Sequence, residues 1–207
     1  MDLLSLILGQ FVSVGVIVLI IIFQPEVRRF LLLLGNTTLK RRGKIFGNIL
    51  SSSMENSKKL QENIIALKSA LVKMSKNKLG ALIVLTHQLN LVSYGNSGTI
   101  VGAEITQPLL ESIFKKDSPL HDGAVIITNG KIHSASVVLP VSENQDLPKS
   151  VGLRHRAGVG ATEDTSALAL IVSEENGQIS YAKEGRLVRN LTEEELYEVI
   201  TRYYNNE

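Results

Sequence analysis

Positions 3–23 carry no charged residue, and the second half of that run is almost unbroken apolar side chains. A helix of that length at about 1.5 Å per residue spans roughly 30 Å, the thickness of a bilayer's hydrocarbon core. The run therefore predicts one transmembrane helix over residues 1–24. A cleaved signal peptide would need a basic segment before the apolar core and small residues after it, but Asp2 precedes the run and Gln24-Pro25-Glu26 follows it. A buried helix of a soluble core fits less well, because the run's length and lack of charge match the membrane criterion.

The pattern then changes character. Residues 25–57 mix glycine, asparagine and serine with basic side chains and read as a juxtamembrane connector with partial helical content. Leu60, Ile64, Leu67, Leu71 and Met74 recur at spacings of four and three, which predicts a helix. Two heptads are too few for a coiled coil, so this helix is expected to pack on its own domain rather than form a dimerising stalk. Strand-like runs follow at residues 79–85 and 91–94, and a helix is expected over 108–116. Asn129-Gly130 separates apolar runs at 124–128 and 131–139, and Asn176-Gly177 separates 168–173 from 178–182; both predict two-residue hairpins. Thr192 and Glu195 form a capping-box pattern that starts a last helix. The sum is an α/β protein: a single domain at 58–207 with a central mixed β-sheet flanked by helices, preceded by the one N-terminal transmembrane helix.

Charge refines this picture. The net charge of +2 conceals an uneven spread, because Arg28, Arg29, Lys40, Arg41, Arg42 and Lys44 face only Asp2 and Glu26 in residues 1–46. Taking these from the 22 basic and 20 acidic residues of the chain leaves 16 and 18 beyond that point. The globular part is slightly acidic, which argues against nucleic acid as a partner. The basic stretch beside the apolar run places that side in the cytosol and near anionic membrane lipid. The 207 residues contain no cysteine, which excludes disulfides, thiolate metal sites and a cysteine nucleophile.

Three polar clusters interrupt the apolar pattern: His121-Asp122-Gly123-Ala124, Gly152-Leu153-Arg154-His155-Arg156 and Ser173-Glu174-Glu175. Alone, each is unspecific. A metal phosphohydrolase needs more histidine ligands than the four in the chain supply, a histidine phosphatase usually has glycine where Arg156 stands, and no Walker loop or dinucleotide fingerprint is present. An Asp-Gly is more often a plain turn, and a Glu pair before Asn-Gly is more often a solvated hairpin end. Together the clusters supply a proton acceptor, an arginine pair for phosphate oxygens and ligands for a divalent cation.

Asp122-Gly-Ala, Arg154-His-Arg and Ser173-Glu-Glu stand in the order and spacing of the diadenylate cyclase family, and the chain resembles its membrane-anchored type. The likeness extends through Phe23-Gln-Pro-Glu-Val-Arg-Arg29 and so covers nearly the whole chain. It implies condensation of two ATP into cyclic di-AMP and two pyrophosphates at a face-to-face homodimer or higher homo-oligomer, with Mg²⁺ or Mn²⁺. By residue, it implies that Asp122 activates the ribose 3′-hydroxyl and that Gly123, Ala124 and Leu139 surround the nucleotide. It further implies that Gly152, Leu153, Arg154, His155, Arg156 and Ser173 contact ATP, and that His121 and Glu175 hold the metal. The expected location is the cell membrane, single-pass, with the catalytic domain cytosolic and a regulatory membrane protein as a partner. Two positions depart from the family: Leu153 stands where threonine is usual, and Ser166 where aspartate is common. The Leu153 departure leaves an alternative, a catalytically silent membrane-anchored sensor of ATP or a cyclic dinucleotide; a ligand-free membrane-tethered scaffold is a third.

Overall fold

The first strand after the periodic helix is apolar at every position, which requires cover on both of its faces, and the computed structural model shows that cover. Residues 45–87, 97–148 and 151–205 are described, with side chains from 57 onward. Residues Glu55–Glu207 group as one compact unit. The predicted span over 1–24 and the strand expected at 91–94 lie outside the described residues.

Helix α1 (Ile45–Lys76) buries Ile64, Leu67, Leu71 and Met74, so the four-and-three spacing marks a core-facing stripe. It begins well before the periodic residues, within the stretch expected to be a connector. Its end is closed by two backbone bonds, Lys78 N–H to Ser75 O and Leu79 N–H to Met74 O, with Lys78 at φ 49°. That is a Schellman cap built on a lysine rather than the usual glycine. The chain then passes through Gly80 into β1 (Ala81–Leu85).

The remaining elements are β2 (Thr99–Glu104), α2 (Gln107–Phe114), β3 (Ala124–Thr128), β4 (Lys131–Val137), α3 (Leu153–Glu163), β5 (Leu168–Val172), β6 (Ile179–Lys183), β7 (Arg186–Arg189) and α4 (Glu193–Tyr204). Seven strands form one sheet in the order β2-β4-β3-β1-β5-β6-β7. The sheet is mixed as expected: β1 and β3 run parallel, and the other neighbours are antiparallel. Alternate residues of the central strands enter two cores. Ile83, Val125 and Leu170 pack with α1, α2 and α4, whereas Leu82, Ile126 and Ile171 pack on the α3 side. Burial on both faces is why β1 and β5 read as continuous apolar runs rather than alternating ones.

The turns divide along chemical lines. Asn129-Gly130 makes the expected two-residue turn, both residues at positive φ (51° and 70°), with Thr128 opposite Lys131. The second expected hairpin turn is corrected: Val172 pairs with Ile179, so the connection is a six-residue loop from Ser173 to Gln178, and only Gly177 within it has positive φ. The two-residue turn on that side is Glu184-Gly185, φ 52° and 71°, which joins β6 to β7. At the last helix, Thr192 accepts from the Glu195 N–H at 3.2 Å and Glu195 accepts from the Thr192 N–H at 2.8 Å, the capping box read from sequence.

Candidate active site

Topology brings the three polar clusters to one edge of the sheet. β1 and β3 are parallel, so their N-terminal approaches, Gly80 and Asp122-Gly123, lie side by side. β5 is antiparallel to β1, with Ala81 opposite Val172, so Ser173 leaves the sheet at the same edge. Helix α3 crosses that face and presents its first turn, Gly152 to Arg156, over it.

The resulting cleft has two halves with different chemistry. The apolar half, about 300 Å³, is walled by Leu82, Val137, Val138, Leu139, Val141 and Ala157. The polar half, also about 300 Å³, is walled by Ser173, Glu174, Glu175, Gln178, His155 and Arg189. Asp122, Leu153 and Arg154 line both.

Asp122 sits at this boundary with an exposed side chain, while its backbone is held in place. Its carbonyl accepts from Ser136 Oγ at 2.7 Å, and Gly123 beside it adopts φ 103°. A Cβ at Gly123 would lie 2.8 Å from Val137 O, so this glycine serves a close approach of backbone to backbone.

Arg154 Nη1 donates to Glu174 Oε2 at 2.8 Å, and its Nε is buried with no hydrogen-bond partner. A buried guanidinium donor left unmade is costly and marks a place where an acceptor would be welcome. The first N–H groups of a helix have no intrahelical partner and carry partial positive charge, so the α3 terminus adds to the attraction for an anion. His155 is buried, and burial pushes its imidazole below the ordinary value; the Arg189 charge acts in the same direction and Glu175 opposes both.

Of the residues read from sequence, Asp122, Gly152, Leu153, Arg154, His155, Ser173 and Glu175 line the polar half, and Gly123 and Leu139 the apolar half. Three do not line the cleft. Ala124 is fully buried in the strand behind it. Arg156 turns to the loop after β4, with Nη1 3.4 Å from Asn144 O. His121 has Nδ1 2.6 Å from Ser118 O. A carbonyl can only accept, so Nδ1 carries a proton, and a metal ligand from this ring would have to be Nε2. Among the described residues no cluster of three His, Asp or Glu side chains could hold a metal alone. Of the two expected ligands, Glu175 lines the polar half and His121 stands next to Asp122 outside its lining. Mg²⁺ and Mn²⁺ are commonly held by one or two protein ligands plus phosphate oxygens, so such an ion would need a nucleotide to complete its shell.

Sequence reasoning missed Arg189, which lies on a strand it did not predict, and the apolar wall of Val138 and Val141, which flank Leu139-Pro140.

Comparison with known proteins converges on one family. The family model described as DisA bacterial checkpoint controller nucleotide-binding matches residues 68–187. The chain is 40% identical over 197 residues to the cyclic di-AMP synthase CdaA of Bacillus subtilis, covering 95% of this chain and 69% of that protein. It is 40% identical over 191 residues to a diadenylate cyclase of Listeria monocytogenes, covering 92% and 67%. Among solved structures, it is similar to a double mutant of DacA from Staphylococcus aureus, with TM-score 0.68, 38% identity, and 72% of this chain and 98% of that chain covered. A Bacillus cereus protein described as a hypothetical membrane spanning protein matches with TM-score 0.58 and 40% identity over 61% and 62%.

Proposed function

The chain belongs to the diadenylate cyclase family of nucleotidyltransferases, and from that premise we propose that the two-part cleft binds one ATP, adenine in the apolar half and triphosphate in the polar half. The observation that carries this reading is the place of Asp122, on the boundary where the ribose would bridge the two halves. From there its carboxylate takes the proton of the 3′-hydroxyl. That oxygen bonds to the α-phosphorus of a second ATP, the α–β anhydride bond breaks, and pyrophosphate leaves with the bonding electrons. Two such transfers close the cyclic dinucleotide.

Arg154 and the first turn of α3 offset the phosphate charge. A divalent ion, Mg²⁺ or Mn²⁺, held by His121 and Glu175, would add charge stabilisation when bound. A single domain holds half of the reacting pair, so the reaction requires two domains face to face. What supports such a face is the apolar rim of the cleft: Leu153 is 71% exposed and Val138 70%, and exposed apolar patches at a site mouth mark interaction surfaces.

In this proposal residues 1–24 anchor the chain in the cell membrane, 25–57 connect, and 58–207 form the cytosolic catalytic domain, with α1 running across that second boundary. Among the described residues no helix is long and apolar enough to cross a membrane, so the anchor rests on the sequence of residues 1–24 alone.

The test is to incubate the full chain in detergent micelles with ATP and either metal and to identify products by mass spectrometry. Cyclic di-AMP with pyrophosphate, at a specific activity that rises with protein concentration, is the expected result. Stoichiometric ATP binding without product at any concentration would overturn it in favour of the silent sensor.

A further inference from the structure

Arg189 closes β7 and belongs to none of the three polar clusters. Its position follows from strand register. Ile171 pairs with Ser180, and Ser180 with Arg189. Directly paired residues on neighbouring strands share a face, so all three stand on one side of the sheet. Ile171 packs in the core on the α3 side, which puts Arg189 on that side too, where its charge reaches His155. It lines the polar half of the cleft and not the apolar half.

Its charge is also uncommitted. The two arginines of the polar half differ in this: Arg154 is ion-paired with Glu174, whereas among the described residues Arg189 makes no salt bridge. Against these two cations the same walls carry three carboxylates, Asp122, Glu174 and Glu175. A polyphosphate entering there adds negative charge to an acidic wall, and Arg189 is the cation that can meet it without first giving up a protein partner.

We propose that Arg189 is a substrate-binding residue that reads the β- and γ-phosphates of the nucleotide and holds the pyrophosphate as it leaves. A planar guanidinium offers paired donors to phosphate oxygens, and at this position it lies on the far side of the polar half from the adenine pocket. The charge that grows on the leaving pyrophosphate as the α–β bond breaks then falls beside a cation. This inference rests on the reading of the polar half as the phosphate subsite.

The test uses nucleotides that lack the attacking group, so that nothing is turned over: 3′-deoxy-ATP and 3′-deoxy-AMP, titrated into the full chain in detergent micelles with Mg²⁺. R189Q is expected to weaken 3′-deoxy-ATP about tenfold, the scale of one charge-assisted contact, and to change 3′-deoxy-AMP less than about twofold. R189K, which keeps the charge but not the fork, is expected to lie between, and it carries the test if R189Q does not fold. With ATP itself, KM should rise and kcat should fall as well, because the contact strengthens as charge grows on the leaving pyrophosphate. Equal losses for the two analogues, or none for 3′-deoxy-ATP in a folded variant, overturn the role of Arg189. A parent chain that binds 3′-deoxy-ATP no more tightly than 3′-deoxy-AMP removes the phosphate subsite itself, and the inference with it.

Discussion

A Cβ placed on Gly80 would lie 2.7 Å from Nη1 of Arg154, so the absence of a side chain just before β1 sets where the arginine of the polar half can rest. The nearest obstacle is the far end of a flexible side chain, and the next, Glu174 Cβ at 3.0 Å, needs only a small shift of the loop after β5. Gly80→Ala should therefore cost little stability, within about 1 kcal/mol of the parent, while pushing the guanidinium away from Glu174. KM for ATP should rise several-fold with Tm nearly unchanged; a large fall in Tm with unaltered KM would contradict this account.

Gly123 presents the opposite case. Its φ of 103° is unfavourable for any other residue, and the atoms a Cβ would meet, Val137 O at 2.8 Å and Ser136 C at 2.9 Å, belong to backbone that cannot swing aside. Gly123→Ala is expected to lose about 2 kcal/mol or more, read as a lower midpoint in denaturant, and to displace Asp122 with it.

Asp122→Asn keeps the size of the side chain and removes its ability to take a proton. Turnover should fall by roughly 10²–10⁴, the usual scale of a positioned general base, while ATP affinity stays within about twofold. Parent-level turnover would remove Asp122 from its assigned role.

His155 ties stability to pH. Its folded imidazole titrates below its ordinary value, through burial first and the Arg189 charge second, so between the two values the unfolded chain binds more protons than the folded one. Stability is then full above the unfolded value of about 6.5 and declines as pH falls toward the folded one. Thermal melts from pH 8 to pH 5 should show this decline, and His155→Gln should flatten it. A slope identical in the variant would assign the acid sensitivity elsewhere.

Leu153 is the exposed first residue of α3 and lines both halves of the cleft. A threonine here, as the resemblance to the family implies, would put a hydroxyl at the boundary of the two halves. Leu153→Thr is expected to tighten ATP binding about fivefold, the worth of one hydrogen bond near 1 kcal/mol, as measured by calorimetry. Unchanged affinity would show that the leucine costs the site nothing.

The sequence made some of this legible for physical reasons that differ by residue. The α1 stripe, the Asn129-Gly130 turn and the Thr192–Glu195 cap are local, each specified by side chains a few positions apart. The Ser173 to Gln178 loop was misjudged because Asn-Gly signals a turn but not which residues pair beyond it, and here the last pair is Val172 with Ile179. Glu184-Gly185 escaped notice because glutamate seldom takes the left-handed conformation it adopts there. β2 escaped for another reason: an edge strand with a glycine at positive φ and an irregular register has no alternating pattern to read. The polar clusters could be matched to a family by order and spacing, yet Arg189 enters the cleft only through the pairing of three strands, which no short motif encodes.

The register that sets Ala81 opposite Val172 also has a temporal meaning. The walls of the cleft come from points spread between Leu82 and Arg189, and the central strand finds its antiparallel neighbour only when most of the chain exists. During synthesis, then, a chain still emerging from the ribosome lacks part of the wall of the polar half until β7 is made. The two-part cleft is therefore complete only in a finished sheet.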